Sequence, residues 1–110
     1  MVKIVALVRR KQGLTTEQFL DYWQNRHSKL VAALPGLRGY VQNPAIDPDK
    51  RNWPYDGLVE VWFDDVAAVK AAFESPESDA VRADEPNFTS AIDWFLATEH
   101  PIVDPPVHGG

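Results

Sequence analysis

Residues 15–40 read TTEQFLDYWQNRHSKLVAALPGLRGY, and this stretch decides the fold. Thr15 followed by Gln18 fits a capping box, in which a hydroxyl and an amide side chain close the first turn of a helix on each other. Leu14 and Phe19 flank the cap at the spacing of a hydrophobic staple. Leu34-Pro35-Gly36 supplies the stop, because proline drives the residue before it out of the helical region and glycine lets the chain reverse. Between these limits, a step of about 100° per residue gathers Phe19, Leu20, Trp23, His27, Leu30, Val31 and Leu34 on one stripe. Glu17, Asp21, Gln24, Asn25, Ser28 and Lys29 fall on the opposite side, as a surface helix requires. His27 therefore lies within the apolar stripe, one turn after Trp23. An imidazole so placed is either a packed side chain bonded to a backbone carbonyl or a group aimed into a pocket, and the spacing alone leaves both open.

On the N-terminal side, residues 2–9 (VKIVALVR) are β-rich and apolar at both parities. Val5, Leu7 and Arg9 point one way and Ile4, Ala6 and Val8 the other, which suits a strand covered on two faces. Residues 10–13 form the turn into the helix. Beyond the helix, residues 37–42 read as a second strand carrying Tyr40, and residues 43–56 (NPAIDPDKRNWPYD) as a loop rich in proline. Trp53 and Tyr55 make that loop either a lid or a flap that seals the sheet edge. Residues 57–63 (GLVEVWF) are the clearest strand, with Val59, Val61 and Phe63 on one face and Leu58, Glu60 and Trp62 on the other. Asp64 or Asp65 caps a second helix through Val66, Val69 and Phe73, ended by Ser75-Pro76. Residues 77–90 read as acidic and irregular with one helical turn near 80–83, residues 91–99 as the last strand, and residues 101–110 as a proline-rich tail to a domain spanning 1–100.

The predicted order β-α-β-β-α-β is that of an α+β, ferredoxin-like fold: a four-stranded antiparallel sheet with both helices on one face. The uncovered face carries Glu60 beside Trp62. Packing two such sheets face to face hides it, so a homodimer with Glu60 and Trp62 at the interface is expected.

The chain of 110 residues is the length of one domain, and its 45% apolar and 25% charged content is that of a globular protein. A net charge of −5 argues against a nucleic-acid partner. The absence of cysteine removes disulfides, thiolate metal sites and thiol nucleophiles. No run reaches the roughly 20 apolar residues of a membrane span, and the N-terminal order of apolar then basic residues reverses that of a secretory signal, so no membrane partner and a cytoplasmic location are expected. No two histidines stand at ligand spacing, and there is no glycine-rich phosphate loop or nucleophile elbow. A lone histidine leaves axial haem ligation open, but no metal and no cofactor are expected.

The runs KIVALVRRKQGLTTEQFLDYW, LPGLRGY and VEVWF, with His27 between the first two, together resemble the EthD family. The resemblance extends over about residues 2–99 and is most specific at Tyr22-Trp23, His27 and Leu34-Pro35-Gly36-Leu37. It implies a dimeric α+β barrel, in which two sheets join and each subunit keeps a pocket between its own sheet and helices. It also implies that His27, Trp23, Val5, Leu7, Tyr40 and Val59 line that pocket. At one point the chain departs: the plant polyketide cyclase of the superfamily carries a catalytic histidine just after the second helix, where the SPESDAV segment here offers Ser78.

A neutral imidazole abstracts and returns protons near neutral pH, which suits isomerisation, cyclisation or dehydration of a carbonyl compound. Tyr40 is the candidate donor to a substrate oxygen, and Trp23, Trp53, Phe73 and Phe88 are candidate aromatic walls for a flat ligand. Two functions follow. One is a cofactor-independent catabolic enzyme acting on a small aromatic, phenolic, polyketide-like or lactone substrate, with His27 and Tyr40 catalytic. The other is a noncatalytic dimer that binds such a molecule or supports a partner oxygenase.

Overall fold

The computed structural model describes residues 1–106. Strand β1 (Val2–Arg10) leads to a helix α1 that runs through Thr16–Tyr22, a π-helical turn Trp23–His27, and Ser28–Ala32. Strands β2 (Gly39–Pro44) and β3 (Gly57–Phe63) follow, then helices α2 (Val66–Phe73) and α3 (Pro76–Asp84), a 3₁₀ turn Glu85–Asn87, and strand β4 (Thr89–Ala97). The strands form one antiparallel sheet in the order β2-β3-β1-β4. This is the ferredoxin-like α+β arrangement.

The start of α1 is closed as its sequence demands. Thr15 Oγ1 accepts from the Gln18 backbone N–H while Gln18 Oε1 accepts from the Thr15 N–H. Gly36, at φ 78°, makes the reversal after the helix, a conformation open to glycine and strained for other residues. Phe19, Trp23, His27, Val31 and Leu34 are all buried, so the apolar stripe faces the sheet.

The C-terminal half differs from its sequence reading. Ser75-Pro76 does not merely end α2; it also starts a third helix where an irregular acidic segment is expected. Ser75 Oγ accepts from the Ser78 N–H, and Pro76 occupies the first turn, where its missing N–H has no helical partner to lose. The second and last strands sit two residues away from their expected bounds. The end of the aromatic loop folds against the sheet: Asp56 N–H donates to Val8 O, Tyr55 Oη donates to Asp93 Oδ2, and the Tyr55 ring lies 4.9 Å from the Arg9 guanidinium, while Asp49 in its middle accepts from Thr16 Oγ1 at the start of α1.

Strand register assigns the two faces. Val5 stands opposite Glu60 and Phe95, so Val5, Leu7, Glu60, Trp62 and Phe95 share the face that carries no helix. Ile4, Ala6, Val8, Val59, Val61 and Phe63 share the helix-covered face and form the core with Phe19, Trp23 and Phe88. Each fully buried aromatic there stabilises the fold by roughly 1.5–3 kcal/mol.

In this core the Trp23 ring lies over Gly57 and leaves no room for a side chain there. A methyl group added at Gly57 would stand 2.6 Å from the Trp23 ring and 3.2 Å from Asn43 O. Neither the indole, wedged under α1, nor the β2 backbone can yield cheaply. Gly57→Ala is expected to lose about 1–3 kcal/mol of unfolding free energy through overpacking, measured by denaturant titration; an unchanged midpoint would contradict this packing.

Candidate functional site

The π turn sets the site. It inserts one residue into the helical ladder, so that Ser28 N–H reaches back to Trp23 O. Phe19, Trp23, His27 and Val31 are spaced by four residues, and an α-helix of 3.6 residues per turn would rotate such a series steadily off the sheet. The wider turn removes part of that drift and keeps Trp23 and His27 on the same side. The Trp23 carbonyl also accepts from Gln42 Nε2 of β2 at 3.0 Å, which pins the turn to the sheet.

A cavity of about 240 Å³ lies between sheet and helices. Ile4, Ala6 and Val8 of β1 and Val59 of β3 supply its sheet side, and Trp23 and His27 its α1 side. Tyr40, Phe73, Phe88 and Trp94 add aromatic walls, while Ser78, Arg82 and Glu85 bring polar groups from α3 and the turn after it.

His27 is engaged on one nitrogen only. Its Nδ1 stands 2.9 Å from Asp84 Oδ2. Asp84 Oδ1 accepts from Tyr22 Oη and, at 2.9 Å, from Asn87 Nδ2. Burial works to raise the Asp84 carboxyl, but the hydrogen bonds from Tyr22, Asn87 and His27 outweigh it and hold the group below the ordinary carboxylate range. An ionised carboxylate is acceptor-only, so Nδ1 carries the proton and Nε2 the lone pair. Nε2 has no partner among the described residues and is not sealed from solvent. Burial pushes the His27 pKa below 6.5, against the opposing pull of Asp84, so the ring is neutral at neutral pH. Phe88 packs on it with ring centroids 4.4 Å apart.

Tyr40 Oη accepts from Gln42 Nε2 at 2.7 Å, which leaves its own O–H free to donate. Burial raises its pKa, so it stays protonated. The cavity thus combines a neutral base, a phenolic donor and an apolar, aromatic enclosure.

Of the residues singled out by sequence, the fold gathers His27, Tyr40, Trp23, Val59, Phe73 and Phe88 around this cavity. Val5 and Leu7 are elsewhere: the register turns them to the helix-free face, and Ile4, Ala6 and Val8 take their place. Trp53 is also elsewhere, 48% exposed on its loop with its indole N–H donating to Ile46 O. Glu60 and Trp62 lie on the helix-free face, where Glu60 pairs with Lys3 at 2.8 Å and Trp62 donates to Glu99. Sequence reasoning named Ser78 only as the residue standing in place of a histidine, and missed Asp84, Arg82, Glu85 and Trp94. A sharper reading of Ser75-Pro76 as a helix start would have put Ser78, Arg82 and Glu85 on one helix face. Among the described residues no group of three or more His, Cys, Asp or Glu stands close enough to hold a metal ion, and no helix is long and apolar enough to cross a membrane. His108 and the rest of residues 107–110 lie outside the described residues.

The profile of the EthD domain matches residues 11–92. Among solved structures, an EthD family protein from Bacillus halodurans superposes with a TM-score of 0.78 at 22% identity, covering 91% of this chain and 99% of that one. A dimeric ferredoxin-like protein of unknown function from Thermobifida fusca gives 0.70 at 20% identity, over 89% and 90% of the two chains. A hydroxynitrile lyase from Passiflora edulis gives 0.72 at 15% identity, over 94% and 96%. These superpositions establish a shared fold. No curated protein sequence matches.

The His27 environment predicts a pH dependence. Because its folded pKa is lowered, the unfolded chain takes up the proton first as the solution is acidified. Stability should hold above about pH 6.5, fall below it, and stop falling on this account once pH passes the folded pKa. The Asp84 contribution is lost only at lower pH, as its own depressed pKa is crossed. Proton NMR of the His27 ring should titrate below 6.5, and His27→Asn should flatten the stability profile just below that pH; a ring titrating above it would refute the assignment.

Proposed function

The chain belongs to the EthD family, and from that premise we propose that it is a cofactor-independent enzyme using His27 for acid–base chemistry on a small aromatic, phenolic or lactone-type carbonyl compound. One observation carries this reading. Asp84 holds Nδ1 of a buried, neutral imidazole, and the free Nε2 is left at the surface of an apolar cavity.

Each group has a definite task in an isomerisation. His27 Nε2 takes a proton from the carbon beside the carbonyl; the C–H electron pair moves into a C–C double bond and the carbonyl pair onto oxygen. The Tyr40 O–H donates to that oxygen as charge develops on it. Asp84 accepts from the imidazolium through Nδ1, which holds the ring in place and offsets its charge. In an unsaturated substrate, return of the same proton to the far carbon of the conjugated double bond completes the isomerisation; attack of the enolate carbon on a second carbonyl of the same molecule, with the His27 proton passed to the new alkoxide, would give cyclisation instead. The aromatic walls exclude water and strengthen the electrostatics of both steps. That a protein named as a lyase shares the fold is compatible with catalysis here.

Small aryl ketones and lactones incubated with the protein in D₂O, followed by NMR, test this reading. Exchange of the α-protons should be accelerated by the wild type and reduced about 10²–10⁴-fold in His27→Ala. The acid limb of the rate should fall below pH 6.5, following the lowered His27 pKa. Exchange that is indifferent to His27→Ala would overturn the assignment, and binding without any exchange or turnover would favour the noncatalytic reading.

The proposal extends to assembly. Val5, Leu7, Leu58, Trp62 and Phe95 form an apolar group on the helix-free face, and Phe95 is 55% exposed. A second copy seated on this face would cover it, and the Thermobifida fusca protein that shares the fold is described as dimeric. Light scattering should give twice the chain mass, and Leu7→Asp should halve it; a wild type at one chain mass at micromolar concentration would remove the dimer.

A further inference from the structure

The cavity holds a second polar cluster, and the acid–base pair does not use it. Ser78, in the first turn of α3, is only 4% exposed and lines the cavity. Its Oγ accepts from Arg82 Nη1 at 2.7 Å, while its own O–H has no acceptor among the described residues. A buried donor without a partner is costly, and a cavity beside it is where a partner would come from. Glu85, seven residues further on, also lines the cavity, and its carboxylate has no hydrogen-bond partner among the described residues. Positions three, four and seven residues apart share one helix face, so Ser78, Arg82 and Glu85 form a polar stripe along this wall.

We propose that Ser78, Arg82 and Glu85 form a subsite for an uncharged hydroxyl of the substrate whose carbonyl meets His27 and Tyr40. The proposal rests on the reading of the cavity as a substrate site. A hydroxyl accepts one hydrogen bond and donates another, and this subsite supplies the complement: the Ser78 O–H donates and the Glu85 carboxyl accepts. A carboxylate fits less well. The second Arg82 nitrogen is matched by Asp79 at 2.6 Å, and Glu85 itself would oppose a negative ligand. Burial raises the Glu85 pKa, in keeping with a site built for neutral groups.

The helix also fixes a scale. α3 rises about 1.5 Å per residue, so Ser78 stands about 9 Å along its axis from Asp84, the residue that holds His27. Together with a cavity of about 240 Å³, this points to a small aromatic carbonyl compound whose hydroxyl is held at the Ser78 end of α3, the Glu85 side chain leaning back along the helix towards it.

The test is a binding titration with three probes, acetophenone, 4-hydroxyacetophenone and 4-acetylbenzoate, read by the fluorescence of Trp23 and Trp94, which both line the cavity. The wild type should bind 4-hydroxyacetophenone roughly threefold to tenfold more tightly than acetophenone, the worth of about one neutral hydrogen bond. Ser78→Ala should bring the two affinities within about twofold of each other. Ser78→Cys, which keeps the side-chain shape and weakens the donor, should do the same and carries the test if the alanine variant does not fold. His27→Ala should retain the hydroxyl preference. Equal binding of the two ketones by the wild type, or a preference that survives both Ser78 variants, overturns the subsite while the cavity reading stands. Tightest binding of 4-acetylbenzoate overturns its neutral character. Failure of all three probes to bind the wild type overturns the cavity reading and the subsite with it.

Discussion

A carboxylate withdrawn from water must have its lone pairs filled, and Asp84 is the point where this fold meets that demand. Tyr22 and Asn87 fill one oxygen and His27 the other. Tyr22 and His27 belong to α1, whereas Asp84 ends α3 and Asn87 lies in the turn after it. One anion thus joins two helices that are far apart in sequence. Removing a single one of these donors leaves a half-buried carboxylate short of a hydrogen bond, which typically costs about 1–3 kcal/mol. The same bond fixes which His27 nitrogen carries the proton, so the element that holds the helices together also prepares the ring.

The position of α1 over the sheet depends on a second, steric constraint. The Trp23 ring rests directly on the Gly57 backbone, and Gln42 holds the Trp23 carbonyl from β2. Both contacts act on the first residue of the π turn. With that residue fixed, the extra residue in the turn brings His27 round to face the same side four positions later. A regular α-helix pinned at Trp23 would carry His27 further round, towards the edge of the stripe. The irregularity in α1 and the site it serves are therefore one feature.

Much of this was legible in sequence because it is local and periodic. The capping box, the Leu34-Pro35-Gly36 stop and the alternation of residues 57–63 each depend on neighbours within a turn or a pleat. The order of elements then leaves few topologies, and the ferredoxin-like sheet is the simplest. The failures have a common physical origin as well. Strand β1 is apolar at both parities, so hydrophobicity could not say which set faces the helices; pairing with Glu60 and Phe95 decides it, and Val5 and Leu7 go to the other face. Asp84 looks like one more acid in an acidic stretch, since its partner His27 is 57 residues away and only the packing of α3 brings them together. Ser75-Pro76 reads as an end because proline breaks a helix, although the same residue is well suited to begin one.

The arrangement of exposure around the cavity gives its direction. His27, Trp23 and Phe88 are buried, while Trp94, which lines the same space, is 53% exposed. Trp94 stands on β4, the edge strand, with Phe73 packed edge-on against its ring at 5.3 Å between centroids. Solvent therefore meets the cavity beside β4, and His27 lies at the inner end. Arg82 is also largely exposed, so α3 presents its polar stripe near the same opening. A ligand entering this way passes the Phe73–Trp94 pair before it reaches His27, which favours a flat apolar leading end. The deeper that end goes, the less water remains to compete for Nε2 and for the Tyr40 hydroxyl. Edge-strand position, aromatic entrance and buried base together make desolvation of the ligand part of reaching the site.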